Sequence, residues 1–148
     1  MKKFHFSLET VLSYKQQVLD AQQAEHAAIL AAVNEQEAKI RRLQEAYAAY
    51  ADEYRTHCAS GMEINKILIY QAGLRMREKE IEQETQNLQE LHKQEEAKRA
   101  EVVAAKQDTS SIEKLKEKQV ARYNEAVTKS EEQFIEEFVS QQRCVSAG

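Results

Sequence analysis

The sequence predicts an all-α fold, a long antiparallel two-helix coiled-coil hairpin whose C-terminal helix overhangs the N-terminal one. Three observations support this prediction. The 148 residues include no proline and only three glycines, apolar residues recur every three or four positions through both halves, and the best turn signal lies near the middle of the chain. A sheet or a many-helix bundle needs more glycine and proline for its turns. We therefore expect a single domain made of two long helices.

Helix 1 is expected over about residues 7–58. Ser7 is a good N-cap, Phe6 and Val11 stand at the positions of a hydrophobic staple, and Glu9 puts a negative charge in the first turn. Stepping alternately by four and three residues gives a coiled-coil seam. This seam consists of Leu8, Leu12, Lys15, Leu19, Gln22, His26, Ile29, Val33, Gln36, Ile40, Leu43, Tyr47, Tyr50, Tyr54 and His57.

The turn is expected over about residues 59–66. Gly61 is the best C-terminal glycine in the middle of the chain. Two candidate caps for the next helix follow it, either Ser60 paired with Glu63 or Asn65.

Helix 2 is expected over about residues 67–141, with a frayed tail over 143–148. A weak helical stretch at 108–111 predicts a register shift within a continuous helix, and a helix break is the alternative. The seam before this stretch consists of Ile67, Tyr70, Leu74, Arg77, Ile81, Glu84, Leu88, Leu91, Glu95, Lys98, Val102 and Ala105. The apolar stripe after it consists of Ile112, Leu115, Val120, Tyr123, Val127, Phe134 and Phe138.

The two arms are predicted to be unequal in length. With the turn centred near Gly61, Leu8 falls opposite about residue 114, and most of helix 2 beyond that point has no intramolecular partner. An unpaired helix with an apolar stripe has to dimerise or insert into a partner. The apolar residues of this overhang are Val120, Tyr123, Val127, Phe134, Ile135, Phe138 and Val139.

Composition and charge argue against several classes of protein. The net charge of −4 supplies no basic excess for nucleic-acid binding. No apolar run approaches the roughly 20 residues that cross a bilayer, and the N-terminal residues lack the apolar region of a signal peptide. Cys58 and Cys144 are far apart and match no metal or disulfide framework. We expect a reduced, cytoplasmic protein.

The polar residues do not predict an active site. The four histidines are spread along the hairpin, the glutamates lie on several helix faces, and a hairpin has no cleft in which carboxylates could act together. We therefore expect a non-enzyme with no cofactor and no metal. Near the turn, Tyr47, Tyr50 and Tyr54 are interpreted as core, with an exposed aromatic patch as the alternative. The apolar run after the turn exceeds what one seam needs, so some of it is expected to be exposed and to bind a partner. That run includes Ile64, Ile67, Leu68, Ile69, Tyr70 and Leu74.

The N-terminal sequence resembles the F-x-F-x-L-x-x-V-L start of the FliJ family, a component of the flagellar type III export apparatus. Here it reads Phe4-His5-Phe6-Ser7-Leu8-Glu9-Thr10-Val11-Leu12. Overall size, the central turn, and the stretches 70–83 and 114–124 support the resemblance, which covers essentially the whole chain. Residues 131–139 match the family's acidic-aliphatic ending loosely.

The resemblance implies a coiled-coil stalk that binds the hexameric export ATPase, promotes its assembly and activity, and links it to the cytoplasmic domain of the export gate. It also implies escort of export chaperones, a role in motility, and a location at the inner face of the cell membrane through partners alone. The residues implied for the ATPase are Phe4, Phe6, Leu8, Val11, Leu12, Tyr123, Val127, Phe134 and Phe138. Those implied for the gate are Ile67, Tyr70, Leu74 and Ile81.

Two other functions remain open from the sequence. One is the equivalent stalk of a virulence type III secretion system, which has the same architecture. The other is a generic coiled-coil scaffold that dimerises through the overhang.

Overall fold

The computed structural model describes residues 2–147 and contains two helices joined by a short turn. Helix α1 spans Glu9–Ala59 and helix α2 spans Ile64–Ala147. The two helices pack against each other, and the described residues contain no strand. The predicted all-α hairpin is confirmed. Helix α2 begins three residues before the predicted start and includes 143–147, which the sequence predicts to fray; residue 148 lies outside the described residues.

The chain divides into two compact units. One comprises the residues up to Asp20 together with those from Val103 onward, and the other is Ala21–Val102. In the second unit, polar contacts join Tyr47 to Glu78 and His26 to Glu95. Because partners on the two helices move away from the turn together, the helices of this unit are antiparallel. The single-domain organisation stays a prediction.

The turn of the second unit depends on Gly61, whose φ of 89° is the conformation that glycine adopts most easily. Ser60 closes the preceding helix, since its hydroxyl donates to the carbonyl oxygens of Thr56 and His57, each at 3.2 Å. The amides of Lys66 and Ile67 both donate to the Glu63 carbonyl at the start of α2. Ser60 therefore caps the end of α1, whereas the sequence offers it as a cap for the next helix.

The seam of the second unit agrees closely with the heptad prediction. Val33 and Ile40 are buried, at 5% and 8% exposure. All the predicted seam positions of α2 from 67 to 102 are buried or half-buried, and so are those of α1 except His57, which is exposed. The 3.5-residue period therefore locates the core of this unit correctly.

Polar side chains interrupt this seam, and His26, Gln36, Glu84 and Glu95 form hydrogen bonds across it. His26 donates from Nε2 to Glu95 Oε1 at 2.9 Å, and Arg99 donates from both Nε and a terminal nitrogen to the same carboxylate. The Arg99 bonds, followed by the His26 bond, lower the pKa of Glu95 below its usual range. Gln36 donates to both the side chain and the backbone carbonyl of Glu84, three seam positions closer to the turn.

In the unit that contains the chain termini, α1 starts later than predicted. The first helical hydrogen bond runs from the Leu12 amide to the Leu8 carbonyl at 2.8 Å, so Leu8 occupies the N-cap position that the sequence assigns to Ser7. Phe6 and Leu12 are buried, at 3% and 4% exposure, and form the core here.

Helix α2 passes through residues 108–111 without a break, as predicted, but also without the predicted register shift. Thr109 lies in the seam at 3% exposure, and its hydroxyl donates to the Ala105 carbonyl at 2.8 Å. Ile112 and Lys116 follow Thr109 at intervals of three and four residues, which are the intervals of the preceding seam positions. The stripe prediction for Leu115 is wrong: it is exposed, because Lys116 takes the inward position and pairs with Glu9 at 2.8 Å.

The overhang is shorter than the sequence predicts. Val120, Tyr123 and Val127 are half-buried, and uninterrupted exposure begins at residue 128. The prediction assumes that pairing ends where helix 1 begins. The non-helical residues before Glu9 instead place the Phe4 ring on Tyr123 of α2, and apolar side chains cover a helix whatever their own secondary structure.

Candidate partner-binding surfaces

The end of helix α2 presents a large apolar surface to solvent. Every described residue from 128 onward is exposed, and Phe134 and Phe138 are 70% and 52% exposed. Four glutamates at 131, 132, 136 and 137 outnumber Lys129 and Arg143 along this segment. We define the tail face as Phe134, Ile135, Phe138, Val139 and Val145.

The tail face continues a stripe that begins farther back on α2. Tyr123, Val127, Phe134, Phe138 and Val145 follow one another at intervals of four and seven residues. At about 100° of rotation per residue, these five side chains fall within a sector of about 60° on the helix surface. One straight apolar stripe therefore has a half-buried first part and an exposed second part.

Residues 2–8, which we call the N-terminal strap, cover Tyr123 in the half-buried part of the stripe. The Phe4 and Tyr123 rings pack at 5.6 Å between centroids in a tilted arrangement. The Tyr123 hydroxyl donates to the Lys2 carbonyl at 2.6 Å. Phe6 anchors the other end of the strap in the core.

The structure separates the nine residues that the resemblance implies for ATPase binding into three groups. Phe6 and Leu12 are buried within the chain itself. The half-buried group is Phe4, Leu8, Tyr123 and Val127. The exposed group is Val11, Phe134 and Phe138.

A cluster of aromatic side chains lies beside the turn, where Tyr70 is packed among residues of α1. Its ring centroid is 5.1 Å from that of Tyr50, 5.5 Å from Tyr54 and 5.8 Å from His57. Burial, followed by the hydrogen bond from its hydroxyl to Glu53, raises the pKa of Tyr70. Tyr47, Tyr50 and Tyr54 are half-buried, as their interpretation as core residues expects.

Gly73 and Arg77 complete this cluster. A Cβ on Gly73 would lie 2.8 Å from Tyr50 Cζ, and Cβ atoms in real structures essentially never lie that close to another residue's atom. The Arg77 guanidinium stacks over the Tyr50 ring at 3.7 Å from its centroid and donates to the Gly73 carbonyl. The absence of a side chain at Gly73 thus makes the space that Tyr50 fills.

The residues predicted for the export gate lie on the inward side of α2. Ile67, Tyr70, Leu74 and Ile81 are all half-buried seam positions. The exposed apolar residues of this segment form a different set, which we call the outer turn patch. It consists of Ile64, Leu68, Ile69 and Met76, at 72%, 55%, 67% and 66% exposure.

Sequence reasoning expects surplus apolar residues after the turn to be exposed, and Ile64, Leu68 and Ile69 confirm this. It misses Met76. The spacing of four residues from Ile64 through Leu68 and Ala72 to Met76 is the signal that would have found it, because residues four apart share a helix face.

The histidines of the two helices pair with glutamates. His26, His57 and His92 each lie within 4.0 Å of a different glutamate. Within residues 2–147, no group of three or more His, Cys, Asp or Glu side chains is placed to hold a metal ion. Among the described helices, none combines the length and apolarity of a membrane span. The tail face and the outer turn patch are apolar and exposed, and both are therefore suited to protein partners.

Comparison with known proteins identifies the family. A family model described as "Flagellar FliJ protein" matches residues 4–146. No curated protein and no solved structure shows significant similarity to the chain. Since the family match covers nearly the whole sequence, including the strap, both helices and the tail face, the chain belongs to the FliJ family of flagellar export components.

Proposed function

We propose that this protein is a non-enzymatic coiled-coil stalk of the flagellar type III export apparatus that binds the hexameric export ATPase and promotes its assembly and activity. Membership of the FliJ family supports a role in flagellar export. The observation that carries the finer proposal is the open tail face, with Phe134 at 70% and Phe138 at 52% exposure in the part of α2 where every described residue is exposed.

The tail face has the chemistry of a protein-binding surface. Large aromatic side chains contribute most to binding when a partner removes them from water. Contiguous exposed apolar patches on soluble proteins commonly mark such surfaces. A helix that projects beyond its paired section can enter the opening of a ring, and we assign this role to residues 128–147.

A second contact, with the cytoplasmic domain of the export gate, is proposed for the outer turn patch. The seam residues Ile67, Tyr70, Leu74 and Ile81 are occupied by packing against α1. Leu68 and Met76, at 55% and 66% exposure, are open to a partner. The proposed stalk thus reaches the inner face of the membrane through its partners, and export chaperones are further proposed partners.

The ATPase proposal is tested by measuring ATP hydrolysis by the export ATPase at increasing concentrations of this protein. We expect stimulation by the full chain and its loss in the variant F134S/F138S and in a chain that ends after Val127. The matched control is V103S, because Val103 is also exposed, at 49%, but lies outside the tail face. Absence of stimulation, when the ATPase forms hexamers, would contradict the proposal.

The same experiment separates the alternatives. A generic scaffold predicts a homodimer that F134S/F138S dissociates and no effect on the ATPase. Sedimentation of the wild-type and variant chains measures this directly. An equivalent stalk of a virulence system would stimulate the ATPase of that system instead, and the match to a flagellar family favours the flagellar enzyme.

The gate proposal is tested by binding of the gate's cytoplasmic domain to the full chain. We expect L68S/M76S to lose binding without losing helicity. The exposed-site control is again V103S. Unchanged binding by L68S/M76S would show that the gate uses another surface.

A further inference from the structure

We infer that the N-terminal strap is an intramolecular cover on the first, half-buried part of the apolar stripe of α2. By covering it, the strap limits how much of α2 the ATPase ring can engage. This inference rests on the proposed function. It assigns Phe4 to covering the stripe rather than to contacting the ATPase.

The strap and the ATPase ring would use the same sector of the α2 surface. Tyr123 and Val127 lie within about 60° of Phe134, Phe138 and Val145 around the helix. The strap covers the first part of this sector through the Phe4 ring, at 5.6 Å from the Tyr123 ring. A partner that advances along the stripe from the tail face passes Val127 and meets the strap at Tyr123.

The strap is held unevenly along its length. Phe6 is buried at 3% exposure and fixes one end. The other end is held by the Phe4 ring and by the Tyr123 hydroxyl, which donates to the Lys2 carbonyl at 2.6 Å. Residues 2–5 can therefore detach while Phe6 stays in place.

The free end of the strap also brings like charges into one cleft. Lys2, Lys3 and Arg122 line one shallow cleft of about 570 Å³ together with Phe4 and Tyr123. The strap's lysines and Arg122 carry like charges at an exposed surface, where the repulsion between them is weak. Detachment separates the strap's lysines from Arg122 and gives a partner access to Tyr123.

The test uses two full-length variants that loosen the free end and keep an aromatic ring at position 123 of the stripe. Y123F removes the hydroxyl donor and keeps the ring. F4A/Y123F also removes the covering ring. His5 is exposed on the same strap, so H5A is the matched control.

The expected result is that less protein is needed to stimulate the ATPase. For F4A/Y123F we expect the half-saturating concentration to fall roughly fivefold, because a partner gains apolar surface without having to displace the strap. The maximum rate stays the same, and H5A matches the wild type. Hydrogen exchange of the free chain supplies a second measurement, in which backbone amides over 119–127 exchange faster in F4A/Y123F than in the wild type.

Other outcomes overturn the inference. A rise in the half-saturating concentration for F4A/Y123F would mean that Phe4 contacts the ATPase, as the resemblance implies. An unchanged concentration with faster exchange would mean that the ring stops short of Tyr123, and unchanged exchange would mean that these contacts do not hold the strap. Failure of the proposed function looks different, because the wild-type chain would then give no stimulation at all.

Discussion

At the scale of single residues, the contact between Gly73 and Tyr50 explains a glycine in the middle of a long helix. Glycine in a helix interior ordinarily costs about 1 kcal/mol relative to alanine. Here the missing Cβ accommodates the Tyr50 ring, over which the Arg77 guanidinium stacks. The packing of the Tyr50 ring thus offsets the low helix propensity of glycine at position 73.

We therefore predict that G73A destabilises the protein by about 1–3 kcal/mol, because the new methyl group overlaps the Tyr50 ring. Urea unfolding monitored by circular dichroism measures this change. In a Y50A background the overlap is gone, so the same substitution should become neutral or stabilising. An additive double-mutant cycle would contradict the prediction.

Glu95 is a buried carboxylate in the seam of its unit, at 8% exposure. Its carboxylate accepts hydrogen bonds from Arg99 and His26, and these bonds lower its pKa. A lowered pKa in the folded state means that the stabilisation is present above the ordinary carboxyl value of about 4.5. It is lost as the pH falls through the lower folded-state pKa.

We predict that the free energy of unfolding falls as the pH is lowered from 5 to about 3, and that E95Q reduces this dependence. Urea unfolding at a series of pH values provides the measurement. E90Q is the control, because Glu90 is an exposed neighbour on the same helix. An equal pH dependence in E95Q and the wild type would show that Glu95 does not carry the effect.

At the scale of elements, the turn is determined by one backbone conformation. Gly61 has a positive φ of 89°, and a Cβ added there would meet no atom within 4 Å. The demand for glycine at this position is therefore conformational rather than a matter of space.

We accordingly predict that G61A lowers stability by about 1 kcal/mol and that G61N lowers it less, since asparagine tolerates this conformation better than alanine does. Thermal unfolding of the three chains measures the order. Equal losses for alanine and asparagine would mean that something other than the φ angle is responsible.

Helix α2 shows how tertiary pairing overrides local propensity. The polar stretch at 108–111 is a weak helix former, yet it is helical, and Thr109 is buried in the seam. The hydroxyl of Thr109 bonds to the Ala105 carbonyl, so its burial leaves no unsatisfied donor. Lys15 pairs with Asp108 at 3.6 Å beside it.

At the scale of the whole molecule, apolar residues serve two purposes. One set, including Phe6 and Leu12, stabilises the chain itself, and the other, including Phe134 and Phe138, is exposed. Both sets follow helical spacing or a family motif, so their sequence patterns look alike.

We predict that L12A lowers the free energy of unfolding by about 2–4 kcal/mol, because it removes buried apolar volume. F134A/F138A should change it by less than about 0.5 kcal/mol. Chemical denaturation of both variants gives the comparison. A large loss of stability in F134A/F138A would mean that the tail face packs within the chain or within an oligomer.

The sequence by itself determined the two helices, the glycine turn and nearly all of the seam, because these depend on the local period of apolar residues and on one backbone conformation. It also predicted that part of α2 is left without a partner. Only the tertiary structure decided where that part begins. The strap that covers Tyr123 is not helical, so the helical spacing of apolar residues in the sequence does not reveal it. The tertiary structure likewise separated the outer turn patch from the inward-facing gate candidates, because which side of α2 is free depends on where α1 packs.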